Sequence, residues 1–165
     1  MLNLTRSERT PGPFDRGHFA PGHFTASAFI LSPEGDALLL IHHAKLGRWL
    51  QPGGHVEASD STLLDAARRE ADEEVGLGAL RLHPAADGPF DLDVHAIPPL
   101  GEEPGHEHFD VRFLFQAEDL AYRTTDEVRA ARWTPLPEIA NDPAADRSVL
   151  RAVDKVLALV SGNRP

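Results

Sequence analysis

Residues 54–77 read GHVEASDSTLLDAARREADEEVGL and place Glu70, Glu73 and Glu74 at spacings i, i+3 and i+4, directly behind Arg69. On a helix, residues three and four apart are surface neighbours, so the three carboxylates project from one side and repel one another. A helix that tolerates this arrangement has either a hydrated face or a cation against it. Hard divalent ions such as Mg2+ take oxygen ligands, usually a few carboxylates with water and phosphate oxygens completing the shell. The triplet reads as a seat for Mg2+ and a phosphate substrate. Its setting favours that over a plain solvated face, because Pro52-Gly53-Gly54 precedes it and Gly76 stops it.

The helix is expected to start between Ser59 and Thr62, where Thr62 with Asp65 has capping-box form, and to end at Gly76. Leu64, Ala67, Ala71 and Val75 make an apolar stripe at helical period, and the carboxylates fall off that stripe, toward solvent or a cleft. Upstream, residues 25–32 (TASAFILS) read as a strand and residues 33–36 (PEGD) as a turn. Residues 37–42 (ALLLIH) are a continuous apolar run of strand length, which implies burial on both faces. Downstream, residues 90–97 and 109–117 read as strands separated by a loop at 98–108 (PPLGEEPGHEH), and 129–134 as a further strand. Val149, Leu150, Val153, Val156, Leu157 and Val160 fall on one face of a closing helix. Residues 1–22, polar and rich in proline and glycine, are expected to form an arm or loop ordered in part by Phe14 and Phe19. Residues 23–162 then form one α/β domain with helices on both faces of a sheet.

The chain has 165 residues, 41% hydrophobic and 25% charged, as an ordinary one-domain globular protein does. A formal net charge of -10 argues against a surface that coats a nucleic-acid polymer, but a bound divalent cation can invert the field at a local site. With no cysteine, disulfides, thiolate catalysis and cysteine-ligated zinc are excluded. No apolar run approaches a membrane span and residues 1–10 lack a signal-peptide core, so a cytoplasmic protein without membrane partners is expected.

In residues 54–77 the chain resembles the Nudix hydrolase family. That signature runs Gly, five residues, Glu, seven residues, then Arg-Glu-aliphatic-any-Glu-Glu-any-Gly-aliphatic. Gly54, Arg69, Glu70, Glu73, Glu74, Gly76 and Leu77 match it, with Ala71 at the aliphatic position. Asp60 stands where the family has Glu, and eight residues rather than seven separate it from Arg69. The extra residue lies upstream of the carboxylates and leaves their register unchanged. The resemblance implies an α/β/α Nudix sandwich with a mixed sheet between helices. It also implies a Mg2+-dependent pyrophosphohydrolase, with Mn2+ as substitute, that cleaves a nucleoside diphosphate linked to another moiety by metal-activated water. Glu70, Glu73 and Glu74 would hold the metal with a backbone carbonyl at Gly53. Glu70 would double as the base and Arg69 would orient it; an ion pair of Arg69 with Glu73 is the alternative. Some members carry a further metal or catalytic Glu six residues ahead of a late Trp, a spacing that Glu127 and Trp133 share. Glu102, Glu103 and Glu107 are rivals for that role. Some members also form homodimers, and nothing in this sequence decides that.

The substrate itself is not legible. Arg48 and Trp49 offer a cation and a stacking face for a base, His55 follows Gly54 where a phosphate would lie, and Arg112 is a strand cation that can face the cleft. Trp49 is equally well read as a rim or core aromatic, and Gly53-Gly54 as a plain turn. Two rival functions stand beside the hydrolase: a non-catalytic Nudix-like module that binds a nucleotide metabolite, and a metalloprotein using His95, His106 and His108.

Overall fold

The computed structural model describes residues 12–44, 46–77, 79–125 and 128–160. Its elements are β1 (Gly22–Leu31), β2 (Ala37–His43), β3 (Trp49–Leu50), β4 (Gly53–His55), α1 (Leu63–Val75), β5 (Leu80–Leu82), β6 (Asp91–Ile97), β7 (His106–Ala117), β8 (Val128–Pro135), α2 (Leu136–Asn141) and α3 (Arg147–Val160). All strands join one mixed sheet of order β3-β2-β1-β7-β5, with β4 also on β1, β6 on β7 and β8 on β2. β1 and β7 run parallel from Gly22↔Glu107 to Leu31↔Gln116, and the other pairings are antiparallel.

Alternation along β1 sorts its side chains onto two cores. Ala26, Ala28 and Ile30 face α1, where Ala66, Ala67 and Ala71 are fully buried. Alanine meeting alanine lets the helix lie close to the sheet, which brings the α1 carboxylates near the β4 backbone. Phe29 and Leu31 face the other way, onto Leu136 and Ile139 of α2 and Val149, Val153 and Val156 of α3. Each such side chain, fully buried, contributes about 1.5–3 kcal/mol. The expected sandwich of helices on both faces of a mixed sheet is therefore the fold found.

Several boundaries differ from the sequence reading. β7 starts at His106, inside the segment expected to be loop, because its parallel pairing with β1 extends back to Gly22. The two- and three-residue strands β3, β4 and β5 and the six-residue α2 are too short to show a period. In the arm, residues 1–11 lie outside the described residues, while Phe14 stacks on Phe24 at 5.0 Å and Phe19 sits 5.0 Å from the His106 ring.

Arg112 requires a correction. Expected to face the cleft, it is only 2% exposed and lies on the α3 side of the sheet. Its guanidinium pairs with Asp110 at 2.7 Å and with Asp91 and Asp93 at 3.2 Å, and it donates to Ser148 Oγ at 3.2 Å. Arg151 and Lys155 of α3 reach Asp91 as well, and Thr25 and Ser27 donate their hydroxyl protons to Asp110. Burial opposes ionisation of Asp91, yet Arg151 and Lys155 override it and hold the carboxyl below its ordinary range. Asp93 behaves alike, with burial outweighed by Arg151 and Arg112. This buried network ties β1, β6 and β7 to α3, and its carboxylates satisfy Arg112 without any ligand.

Candidate active site

Thr62 caps α1: its hydroxyl oxygen accepts from the Asp65 N–H at 3.1 Å, satisfying one of the helix's otherwise unpaired first-turn donors. At the far end Gly76 adopts the left-handed conformation (φ 65°), and its N–H donates to Asp72 at 2.8 Å. Between these caps the carboxylates are not equivalent. Glu74 is 8% exposed and belongs to the buried side of the helix, contrary to the expectation that all three lie off the apolar stripe. Its Oε2 accepts the Gly53 N–H at 3.0 Å. Glu70 is nearly as enclosed, with a side chain 14% exposed, while Glu73 is 53% exposed at the rim. The ridge thus runs from a buried end at β4 to a wet end.

Gly54 makes this approach sterically feasible. A Cβ there would meet the Glu70 carboxylate at 2.6–2.8 Å, so only glycine lets that carboxylate lie against the β4 backbone. A Cβ at Gly53 would collide with Ser27 and the Ala26 carbonyl, so β4 is also pressed against β1.

Arg69 organises the rest. Its Nε donates to Asp60 Oδ1 at 3.1 Å and its Nη2 to Asp60 Oδ2 at 3.0 Å, while Nη2 also reaches the His55 carbonyl at 2.8 Å. Nη1 donates to Glu70 at 3.0 Å and to Glu73 at 2.8 Å. Arg69 thus contacts both Glu70 and Glu73, the two partners that the sequence left as alternatives. Hydrogen bonding to Asp60, ahead of the charge of Glu70, drives the arginine further above its ordinary value. Asp60 is itself 8% exposed and accepts the Glu57 N–H at 2.8 Å. The shorter acid therefore braces the loop despite the departure from the family pattern.

Of the expected substrate residues, Arg48 and Trp49 lie together. Arg48 pairs with Asp146 at 3.3 Å, and the face of Trp49 carries the Arg132 guanidinium at 4.4 Å. Both line a cavity of about 160 Å3 with Leu40, Thr134 and Ile139. His55, expected to touch a phosphate, instead turns from the Glu70 side of β4, its ring 5.1 Å from His23 and 5.2 Å from His108, and burial, reinforced by the charge of His23, pushes it down to about 4. Glu102, Glu103 and Glu107 are exposed, and Glu127 lies outside the described residues.

The histidine group differs in membership from the sequence reading. His95 pairs with Asp93 at 3.1 Å, whereas His23, which the sequence did not single out, joins His106 and His108 with ring nitrogens within 4.8 Å of one another. The signal was hidden because residue 23 meets residue 108 only through the parallel β1–β7 register. Burial lowers both His23 and His108, the latter to about 3 with help from His55.

An oxygen-rich donor set on a helix, next to a glycine backbone, fits a hard divalent cation. A relative described as a probable DHNTP pyrophosphohydrolase, from Lactococcus lactis subsp. cremoris (strain MG1363), is 34% identical over 108 residues, 63% of this chain; the match spans 60% of that relative's length. A NUDIX-family hydrolase from Clostridium perfringens superposes with a TM-score of 0.67 at 23% identity, covering 83% of this chain and 97% of that one. The dihydroneopterin triphosphate pyrophosphohydrolase of E. coli superposes at 0.60 with 17% identity, covering 80% and 92% of the two chains. These likenesses establish the fold, and the NUDIX domain model matches residues 21–153, from the threshold of β1 into α3 and across the whole carboxylate ridge: the chain belongs to the NUDIX domain family.

Proposed function

We propose that this protein is a divalent-cation-dependent pyrophosphohydrolase that adds water across a phosphoanhydride of a nucleoside diphosphate derivative. The products are a nucleoside monophosphate and a phosphorylated remainder. One observation carries the reading: Arg69 grips Asp60 and Glu70 together, while Glu74 is seated on the Gly53 N–H, so that two carboxylates are held against the β4 backbone. Glu70, Glu73, Glu74 and the Gly53 carbonyl would hold Mg2+ or Mn2+, with Glu127 a further ligand. Bound there, the cation would lower the pKa of the attacking water and polarise the phosphoryl oxygens. Glu70 accepts the proton of the attacking water, and Arg69 fixes the direction from which it does so. Arg48 and Trp49 supply contacts to the substrate, and a cytoplasmic location goes with a small nucleotide substrate.

ADP-ribose, dinucleoside polyphosphates, nucleotide sugars and damaged nucleoside triphosphates form the substrate panel, and dihydroneopterin triphosphate, a pterin outside the nucleoside class, is added because the Lactococcus relative and the E. coli neighbour are named for it. Purified protein with Mg2+ or Mn2+ should release phosphate products from at least one compound, and Glu74→Gln should sharply reduce the release. Tight binding without turnover across the panel would make the chain a nucleotide-binding NUDIX module instead.

A further inference from the structure

One end of the sheet carries a rung of histidines that the hydrolytic reading does not require. His95, His108 and His23 are direct register partners across β6, β7 and β1, and His106 shares the His108 face two residues earlier. Ring centroids of His23 lie 4.9 Å from His106 and 4.7 Å from His108. His23 is 1% and His106 7% exposed. The Nε2 atoms of His23 and His108 are both buried without a hydrogen-bond partner among the described residues. A buried polar atom left unpaired costs about 1–3 kcal/mol, and here two occur in one cluster.

Tautomers sharpen the picture. His23 Nδ1 lies 3.2 Å from the His18 carbonyl and His106 Nδ1 lies 2.9 Å from the Pro104 carbonyl. A carbonyl only accepts, so each Nδ1 carries the proton and each Nε2 keeps its lone pair. A backbone carbonyl on the far nitrogen is the usual device that aims an imidazole at a metal. Phe19 covers the cluster from the arm, and His106 also lines a cavity of about 560 Å3 with Pro21, Ile97 and Pro99.

We propose that His23, His106 and His108 bind a transition-metal ion of the Zn2+ class through their ring nitrogens, on the sheet face opposite α1. Neutral imidazoles select Zn2+, Co2+, Ni2+ or Cu2+ over Mg2+. Zn–N bonds of about 2.0–2.1 Å separate two ligand nitrogens by at most about 4.2 Å, so nitrogens within 4.8 Å close on an ion by side-chain rotation. Three protein ligands leave a fourth position for water, an anion or His55, whose ring is 5.1 Å from His23 and 5.2 Å from His108. The site goes beyond the hydrolytic reading and does not depend on it.

Metal-free protein titrated with Co2+ alone should develop visible tetrahedral-type absorption at one equivalent, which Zn2+ displaces and excess Mg2+ does not. His106→Ala should lose the bands and weaken Zn2+ binding at least about tenfold, whereas Glu74→Gln should retain both. In the unmutated protein, Zn2+ should shift the imidazole nitrogen resonances of His23, His106 and His108 together, a readout that needs no variant to fold. Absence of Co2+ bands, their loss in Glu74→Gln, or Zn2+ shifts confined to other histidines would overturn the proposal.

Discussion

Arg69 closes a two-bond fork on Asp60, Nε to Oδ1 at 3.1 Å and Nη2 to Oδ2 at 3.0 Å, and the same guanidinium holds Glu70. Planar forks of this kind fix direction as well as energy. Asp60 therefore acts on Glu70 at one remove, through the arginine. Replacing Asp60 by Ala should lower stability by about 1.5–3 kcal/mol, the worth of charged hydrogen bonds. It should also reduce kcat more than it raises KM. Arg69→Lys should lower kcat similarly, because an ammonium is a point charge that cannot span both carboxylates. Urea unfolding and steady-state kinetics check both outcomes; equal effects on kcat and KM would remove the orienting role.

The buried and rim ends of the carboxylate ridge should respond unequally. Glu74→Gln is expected to cut kcat/KM by about 100-fold or more, a loss of roughly 3 kcal/mol of transition-state charge stabilisation. Glu73→Gln, at a side chain 53% exposed, should cost less and be partly rescued by higher Mg2+. Metal titrations of activity for the two variants separate the cases.

Gly54→Ala tests the approach of Glu70 to β4. A methyl group placed 2.6–2.8 Å from the carboxylate must displace it. Activity should fall by about tenfold or more, with the circular dichroism spectrum unchanged. A fully active Gly54→Ala would show that Glu70 does not need its position against the strand.

How much of this was legible in the sequence varied with the range of the interactions involved. Thr62, Gly76 and the Glu70/Glu73/Glu74 spacing act within a turn or two of chain, so the α1 limits and the ridge could be read directly. The burial of Glu74 could not, because it depends on where β4 passes. Arg112 was misplaced for the same reason: Asp91 lies 21 residues away and Ser148 lies 36 away. With those partners unseen, a cation on a strand looks available to a ligand. α2, six residues with a proline near its start, offers no periodicity and is held by the core that Leu136 and Ile139 enter.

The Arg112 network should give the fold an acid limit. Asp91 and Asp93 titrate below their ordinary value of 3.8 in the folded protein. Near that value the unfolded chain takes up protons that the folded one refuses, so stability present above it is lost as the pH falls through the folded values. Urea unfolding between about pH 5 and about pH 2 should show this decline. Asp91→Asn should be less stable at neutral pH by about 3 kcal/mol and should decline less steeply in acid. An unchanged slope would assign acid sensitivity to other groups.

The parallel pairing of β1 with β7 also shapes how the chain is made. Thr25 and Asp110 bond across a separation of 85 residues, so the sheet's central seam closes only after most of the polypeptide exists. Contacts of such span form slowly, because the intervening loop must be ordered first. A nascent chain that has emerged only as far as β6 holds β1 with one edge open, a template for pairing with a neighbouring chain. Late closure, and a window for mispairing during synthesis, are thus built into the order of the strands.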